Sequence, residues 1–288
     1  MNWKLLLVLP FYILIFGCAS PRGEVDDKSS KADSLLLEEI IPLIPSPGEF
    51  LDMVHTTGMN YQEGIVSPIV NPDNFVLYRN QALNFGVYLT DFSYLLLFEK
   101  QSESIKYLYQ IQDLSKKLGV DGYFDDAFFN HLLANLSNPD SLKEISLQQS
   151  TLFFNRMNEI GNKDLVFLIT TGAIIEGMSI ASRAIDDNQI TDDVIDRTID
   201  LSYLFDTFYL HYDLSKPNDS SLEMLTTDIT ELRKIFTSMT IAQTSKSIRR
   251  EGQIVLTSEV SHDINVYNLR KMKVMVDAIR KNIVDQVY

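Results

Sequence analysis

Apolar residues recur at helical spacing over most of the chain after residue 74. The best-defined stretch is 258–287, where apolar positions alternate three and four residues apart. That spacing places them on one face of a helix, which predicts a C-terminal helix packed against a core. The residues of this stripe are Leu269, Met272, Val276, Ile279 and Ile283.

The same periodicity predicts further helices along the chain. Several of them are expected to begin at residues whose side chains accept hydrogen bonds from the first helical turn, namely Ser102, Asn162, Thr191 and Ser220. The predicted ranges are 74–100, 102–117, 121–136, 139–160, 163–184, 192–212 and about 220–242.

Extended segments are nearly missing from this pattern. Only the run 254–257 (IVLT) looks like a short strand or linker. Because strands do not alternate with helices, a parallel sheet covered by helices is not expected. The pattern predicts an all-α fold, a helical bundle of antiparallel helix hairpins forming a single domain over residues 34–288.

Two of the predicted helices resemble each other at a shift of about 86 residues. Segments 84–94 and 170–180 each carry a glycine, Gly86 or Gly172, shortly before an acidic residue. Glycine inside a helix costs about 1 kcal/mol relative to alanine, and close helix approach is a reason to accept that cost. We predict two similar hairpins around a pseudo-twofold axis, with both glycines near the crossing. Chance similarity between apolar helices is the alternative.

The N-terminus has a different pattern. Lys4 precedes an apolar run at 5–16, then Gly17 and Cys18, which is the only cysteine. A membrane-spanning helix needs about 20 residues, so this run is too short to be one. It fits a secretory signal peptide. Residues 15–18 (IFGC) resemble the lipobox of bacterial lipoproteins, although Phe16 stands where alanine or serine is usual. A plain secretory signal with a chance cysteine is the alternative.

The resemblance implies cleavage before Cys18 and membrane anchoring through acyl chains on that residue. It divides the chain into a signal peptide (1–17), the lipidated Cys18 with a polar, flexible tether (18–33), and the helical domain. Ala19 and Ser20 offer no aspartate after Cys18, which favours the outer membrane of the cell envelope. The chain also resembles all-helical bacterial envelope lipoproteins, a resemblance that brings no catalytic motif.

Charge narrows the choice of partners. The formal net charge is −14, which argues against nucleic acid as a partner. The C-terminal segment 243–288 differs, with eight Lys/Arg against five Asp/Glu. Either this segment contacts a phosphate-bearing lipid or an acidic partner, or it docks on the acidic remainder of the chain.

Asp91 and Glu176 are the acids that fit their surroundings least, since both lie in apolar helical stretches. If the pseudo-twofold holds, the two carboxyls face one ligand pocket or buried polar site, together with Tyr94. Their pKa values would then be raised, as in an acid–base pair. Alternatively, each acid is satisfied separately by a tyrosine, a loop amide, Arg79 or Arg183.

Other chemical motifs are weak. Residues 192–196 spell DDxxD, a diphosphate-binding run in isoprenoid synthases, but a charged helix start explains it equally well. The four histidines are scattered without metal-ligand spacing, and neither a phosphate loop nor a GxSxG elbow is present. We therefore predict no catalytic residues, no metal and no cofactor.

Three functional classes remain. The first is a lipid-anchored, non-catalytic interaction module with a protein partner or a small apolar ligand between the aromatic residues of the bundle. The second is an envelope hydrolase that uses Asp91 and Glu176 as a carboxylate pair. The third is a purely structural spacer.

Overall fold

The structure is a computed structural model that describes residues 48, 51, 55, 58–250 and 253–288. Within these residues it is an all-α helical bundle with one two-stranded hairpin. The predicted signal peptide, Cys18 and the tether lie outside the described residues. The elements are α1 (Tyr78–Leu97), α2 (Gln101–Leu118), α3 (Asp126–Ala134), α4 (Pro139–Glu159), α5 (Lys163–Arg183), α6 (Asp192–Ser215), α7 (Glu223–Met239), β1 (Thr240–Arg250), β2 (Gln253–His262) and α8 (Val266–Val284).

Helices α1 and α5 form the centre and run in the same direction. At their N-terminal ends the Tyr78 phenol is hydrogen-bonded to the side chain of Asn162, the residue before α5. Further along, Asp91 of α1 is hydrogen-bonded to Glu176 of α5. Both helices are buried over most of their length, as their apolar sequences predict.

Two glycines set the distance between these helices. A side chain at Gly86 would overlap the carbonyl oxygen of Ile169, and one at Gly172 would overlap the carbonyl oxygen of Leu83. The backbones therefore touch where neither helix carries a side chain, which confirms the predicted close approach. The duplication of whole hairpins stays a prediction.

The flanking helices complete the core. Helix α2 folds back along α1, with the rings of Tyr88 and Tyr107 6.0 Å apart. Helix α8 runs antiparallel to α5, since Arg280 contacts Glu176 and Lys273 Nζ donates to the Ile185 carbonyl at 2.9 Å. The predicted apolar stripe of α8 is confirmed, because all five of its members are buried.

Helix α5 is the strongly apolar element of the described chain. By length and composition it is the one described helix that could cross a bilayer, and its apolar window is entirely buried inside the bundle. Helices α1, α4, α6 and α8 are among those that pack against it. The apolar side chains of α5 therefore form part of the core of this bundle.

The helix starts agree only partly with the predicted caps. The Thr191 side chain accepts from Val194 N, as predicted. Asn162 precedes α5 but makes no cap bond, since its side chain meets Tyr78. Helix α2 begins at Gln101, so Ser102 is not its cap. Asp219, and not Ser220, caps the short 3₁₀ turn before α7.

The hairpin is the element that the sequence pattern did not predict. Strands β1 and β2 pair antiparallel from Thr240 opposite His262 to Arg250 opposite Gln253. The helix predicted to reach residue 242 therefore ends at Met239, and the one predicted from residue 258 begins at Val266. The predicted extended run 254–257 lies inside β2.

Candidate functional site: a buried carboxyl pair

The site lies where α1, α5 and α8 meet beneath the segment 62–70. Asp91 of α1 and Glu176 of α5 have no solvent-exposed surface. Helices α1 and α5 are parallel and cross closely at Gly86 and Gly172. Asp91 and Glu176 each lie about one turn after these glycines, so their side chains meet. The structure brings these two predicted site residues together: Ser67 bonds to both carboxyls, which lie within hydrogen-bonding reach of each other.

Arg280 of α8 is the cation of the site. Its Nε donates to Glu176 Oε2 at 2.7 Å, and its Nη2 donates to Glu176 Oε1 at 2.8 Å. This bidentate geometry is the strong form of an arginine–carboxylate pair. The arginine side chain is itself only 14% exposed. Glu176 is therefore held by a largely buried cationic partner.

Ser67 lies at the centre of the site and uses three of its polar groups there. Its backbone N–H donates to Asp91 Oδ2 at 3.0 Å. Its hydroxyl accepts from Arg280 Nη2 at 2.8 Å and donates to Glu176 Oε2 at 3.5 Å. Its carbonyl accepts from the Tyr107 hydroxyl at 2.7 Å. Asp91, Glu176, Arg280 and Ser67 are called the carboxyl cluster below.

The hydrogen bonds of the cluster require one shared proton. Two ionised carboxylates are both acceptors, so the bond between Asp91 and Glu176 needs a proton on one of them. Asp91 Oδ1 is buried and has no donor among the described groups. A proton on Asp91 supplies the missing bond and leaves one negative charge opposite Arg280.

Electrostatics place that proton on Asp91. Burial raises the pKa of Asp91 well above its ordinary value of 3.8, and the nearby charge of Glu176 raises it further. Arg280 and the Ser67 amide oppose this shift without cancelling it. The cluster is electrically neutral when Asp91 is protonated, which is the arrangement that a dry interior favours.

Tyrosines surround the cluster and bind the segment 62–70 above it, called the covering segment below. The Tyr88 hydroxyl donates to the Pro68 carbonyl at 3.1 Å, and burial raises the pKa of Tyr88 to about 12. Burial, followed by the charge of Asp91, also raises the pKa of Tyr107. Tyr94, predicted to share the site, instead accepts from the backbone N–H of Gln62 at 2.7 Å. Tyr94 thus binds the same segment, 62–70, but at a point five residues before Ser67, which contacts the carboxyls.

Sequence reasoning missed two members of the cluster. Arg79 and Arg183 were the expected arginine partners, but Arg183 pairs with Asp277 at 3.3 Å. Arg280 could have been found, because it lies four residues after Val276 and borders the apolar stripe of α8. Ser67 lies in a Pro-rich loop with no periodicity, so no local signal marks it.

The remaining motifs are structural. Asp192 and Asp193 begin α6 behind the Thr191 cap, as a charged helix start does. His211 is buried, and burial lowers its pKa to about 4, so its ring is neutral at neutral pH. In the described part of the chain, no group of three or more His, Cys, Asp or Glu side chains could hold a metal ion.

The basic residues of α8 are largely engaged with the body of the protein. Arg270 pairs with Asp187 at 3.1 Å. Lys273 binds a backbone carbonyl, and Arg280 belongs to the carboxyl cluster. Of the two interpretations of the basic C-terminal segment, these contacts favour docking of α8 on the acidic remainder of the chain.

Comparison with known proteins adds no relative: no family model, curated protein or solved structure matches this chain.

Proposed function

We propose that this protein is a lipid-anchored bacterial envelope protein that works as a non-catalytic interaction module. The observation that carries the anchor is the order of the N-terminus: Lys4, the apolar run 5–16, Gly17 and the sole cysteine, Cys18. The polar stretch 19–33 would then link the anchor to the bundle. The outer membrane is the proposed location.

The carboxyl cluster supports a non-catalytic role. Asp91 and Glu176 bind each other, Ser67 and Arg280, and neither has exposed surface. Their hydrogen-bonding capacity is used within the fold. Such a cluster holds chain segments together and has no carboxyl oxygen facing a solvent-borne substrate.

A hydrolase that uses this pair has less support. Retaining glycosidases hold their carboxyls about 5–5.5 Å apart with the sugar between them, and inverting enzymes about 6.5–9.5 Å apart to admit a water. Here the two carboxyls lie together against Ser67, which bonds to both of them. Substrate could reach them only if the covering segment moved away.

The outer face of α8 is the surface proposed for a protein partner. Tyr267 and Val274 lie two turns apart on this face and are 73% and 70% exposed. Exposed aromatic and aliphatic side chains on one helix face are typical of binding surfaces, where they become buried in the partner. Lys271 lies between them and is also exposed.

The anchor is tested by intact mass spectrometry of the full chain purified from bacterial membranes, beside the Cys18→Ser variant. We expect the wild type to lack residues 1–17 and to carry acyl chains on Cys18. The variant should carry none and should leave the membrane fraction. A wild-type chain that is cleaved elsewhere, or that bears an unmodified Cys18, would contradict the proposal.

The interaction surface is tested with a photo-reactive amino acid at position 274 in bacteria that export the protein. We expect one discrete crosslinked product that is lost when Tyr267 is replaced by Asp. Leu210, which is 49% exposed on α6, provides the matched control position. Equal crosslinking from positions 210 and 274 would show that α8 has no special role.

A further inference from the structure

The segment 62–70 crosses the bundle without regular secondary structure, and helix side chains bind its backbone. Tyr94 contacts the N–H of Gln62, and Arg280 Nη2 donates to the Ile65 carbonyl at 3.1 Å. Gln110 Nε2 donates to the Val70 carbonyl at 2.6 Å. Ser67, midway between these contacts, is bound by Asp91, Glu176 and Arg280. The segment is therefore held like a bound extended peptide.

We propose that the Asp91–Glu176 pair is a proton-controlled latch, which holds the segment 62–70 on the bundle and releases it when the shared proton is lost. The latch involves only described residues of the bundle and its covering segment. It operates whether or not Cys18 is lipidated and whether or not a partner binds α8.

Loss of the proton changes the charge balance of the cluster. Asp91 and Glu176 would then be two adjacent negative charges opposite the single guanidinium of Arg280. Without a proton the bond between the carboxyls becomes a repulsive contact, and a second buried charge lacks a counterion. Only water can supply the missing solvation, so the cluster must open on one side.

Among the described residues, the charged and titratable groups around Asp91 offer no second counterion. Tyr88 is on its own helix, Tyr107 and Glu103 are on α2, and Glu176 is on α5. Helix α8 contributes Arg280 and Asp277, and Asp277 is negative and bonded to Ser179 at 2.7 Å. Apart from Arg280, the groups named are acids or phenols, so they resist a second negative charge at the site.

Of the chain segments around the cluster, the covering segment 62–70 is expected to open at the lowest cost in free energy. The other segments are α1, α2, α5 and α8, whose backbone hydrogen bonds are satisfied within each helix. The segment is held instead by side-chain contacts and by the burial of Ile65 and Ser67. Local opening of such a loop costs less free energy than opening a packed helix. Its release lets water reach both carboxylates.

Hydrogen exchange of the full chain, followed by mass spectrometry from about pH 5 to about pH 9, tests the latch. The readout is the protection of the amides of segment 62–70 after division by the intrinsic exchange rate at each pH. In the wild type we expect protection to fall by up to about tenfold per pH unit as pH rises from the ordinary pKa of 3.8 to the raised pKa of Asp91, because opening releases one proton in that range. Above the raised pKa the protection should level off, since Asp91 is then ionised in both states.

Two variants make the test specific. Asp91→Asn keeps the shape of the protonated acid and can donate to Glu176, so its segment should stay protected at every pH. Asp277→Asn makes the same chemical change on α8 without touching Ser67, and it should retain the wild-type pH profile.

Two results would overturn the proposal. One is a segment whose corrected protection has the same pH dependence in wild type and Asp91→Asn. The other is a loss of protection in α5 that parallels the loss in the segment, because the whole bundle would then be opening and not a local latch.

Discussion

Arg280 binds both carboxylate oxygens of Glu176, across a sequence separation of 104 residues. The same guanidinium donates to the Ser67 hydroxyl and the Ile65 carbonyl. One side chain of α8 thus joins the central helix α5 to the covering segment. Several consequences of this arrangement can be measured.

Replacing Arg280 with Met should destabilise the protein by about 3–5 kcal/mol, because Glu176 would be left as an uncompensated buried charge. Urea denaturation followed by circular dichroism measures the loss. Arg270→Met is the matched control on the same helix. Its pair with Asp187 is half-exposed, so the expected cost is about 0–1 kcal/mol. Equal losses in the two variants would contradict the role given to Arg280.

Asp91→Asn should stabilise the protein as pH rises. The pKa of Asp91 is raised in the folded state, so the stabilisation linked to its proton is complete below the ordinary value of 3.8 and is lost as pH rises through the raised value. Asparagine cannot lose that proton. Denaturation at a series of pH values should show the variant gaining on the wild type with rising pH. A variant that loses ground instead would show that the ionised form of Asp91 is the one that the fold needs.

Alanine at Gly86 or Gly172 should cost about 1–3 kcal/mol or more, since the new methyl group would meet backbone atoms that have no rotamer to change. Gly122→Ala provides the control, because a methyl group there meets no atom within 4 Å. Thermal unfolding of the three variants measures the difference. A tolerated alanine at both crossing positions would mean that α1 and α5 are further apart than described.

Removing the Tyr288 hydroxyl tests how α8 is fixed to α7. Tyr288 is buried and donates to Asp228 Oδ2 at 2.6 Å. Tyr288→Phe should cost about 1.5–3 kcal/mol, the usual range for a hydrogen bond to a charged group. Tyr267→Phe, at an exposed position of α8, should be neutral in the same denaturation experiment. A neutral Tyr288→Phe variant would show that this bond adds nothing.

Much of the fold was predictable because it depends on local pattern. The apolar stretches around Gly86 and Gly172 predicted the two central helices, and the unusual glycines predicted their contact. The stripe from Leu269 to Ile283 predicted the buried face of α8. In each case the residues that carry the signal are neighbours on one helix, so the sequence itself contains the relationship.

The hairpin was missed for a local reason. Ile241 and Ala242 continue the apolar spacing of α7, so the pattern predicts more helix where β1 begins. The true start of α8 is set by Asn265, whose side chain accepts from Asn268 N. A single cap residue is a weak signal beside the long periodic stretch that surrounds it.

The site was only half predictable, because its members come from distant parts of the chain. Asp91 and Glu176 stand out as acids in apolar helices. Gly86 and Gly172 predict that these helices lie close together, and hence that the two acids meet. Ser67 and Arg280 join them through the path of the loop and the docking of α8. The place of Arg280 beside the apolar stripe of α8 is a local signal, whereas no neighbouring residue marks Ser67.

The properties of the carboxyl cluster depend on a protonated Asp91 beside Glu176. Infrared spectroscopy detects that proton, because a protonated carboxyl has a carbonyl band distinct from that of a carboxylate. We expect a protonated-carboxyl band at pH values well above 3.8, where exposed acids are ionised, and we expect Asp91→Asn to remove it. A wild-type spectrum without that band under those conditions, or a band that survives in Asp91→Asn, would show that Asp91 does not carry the proton.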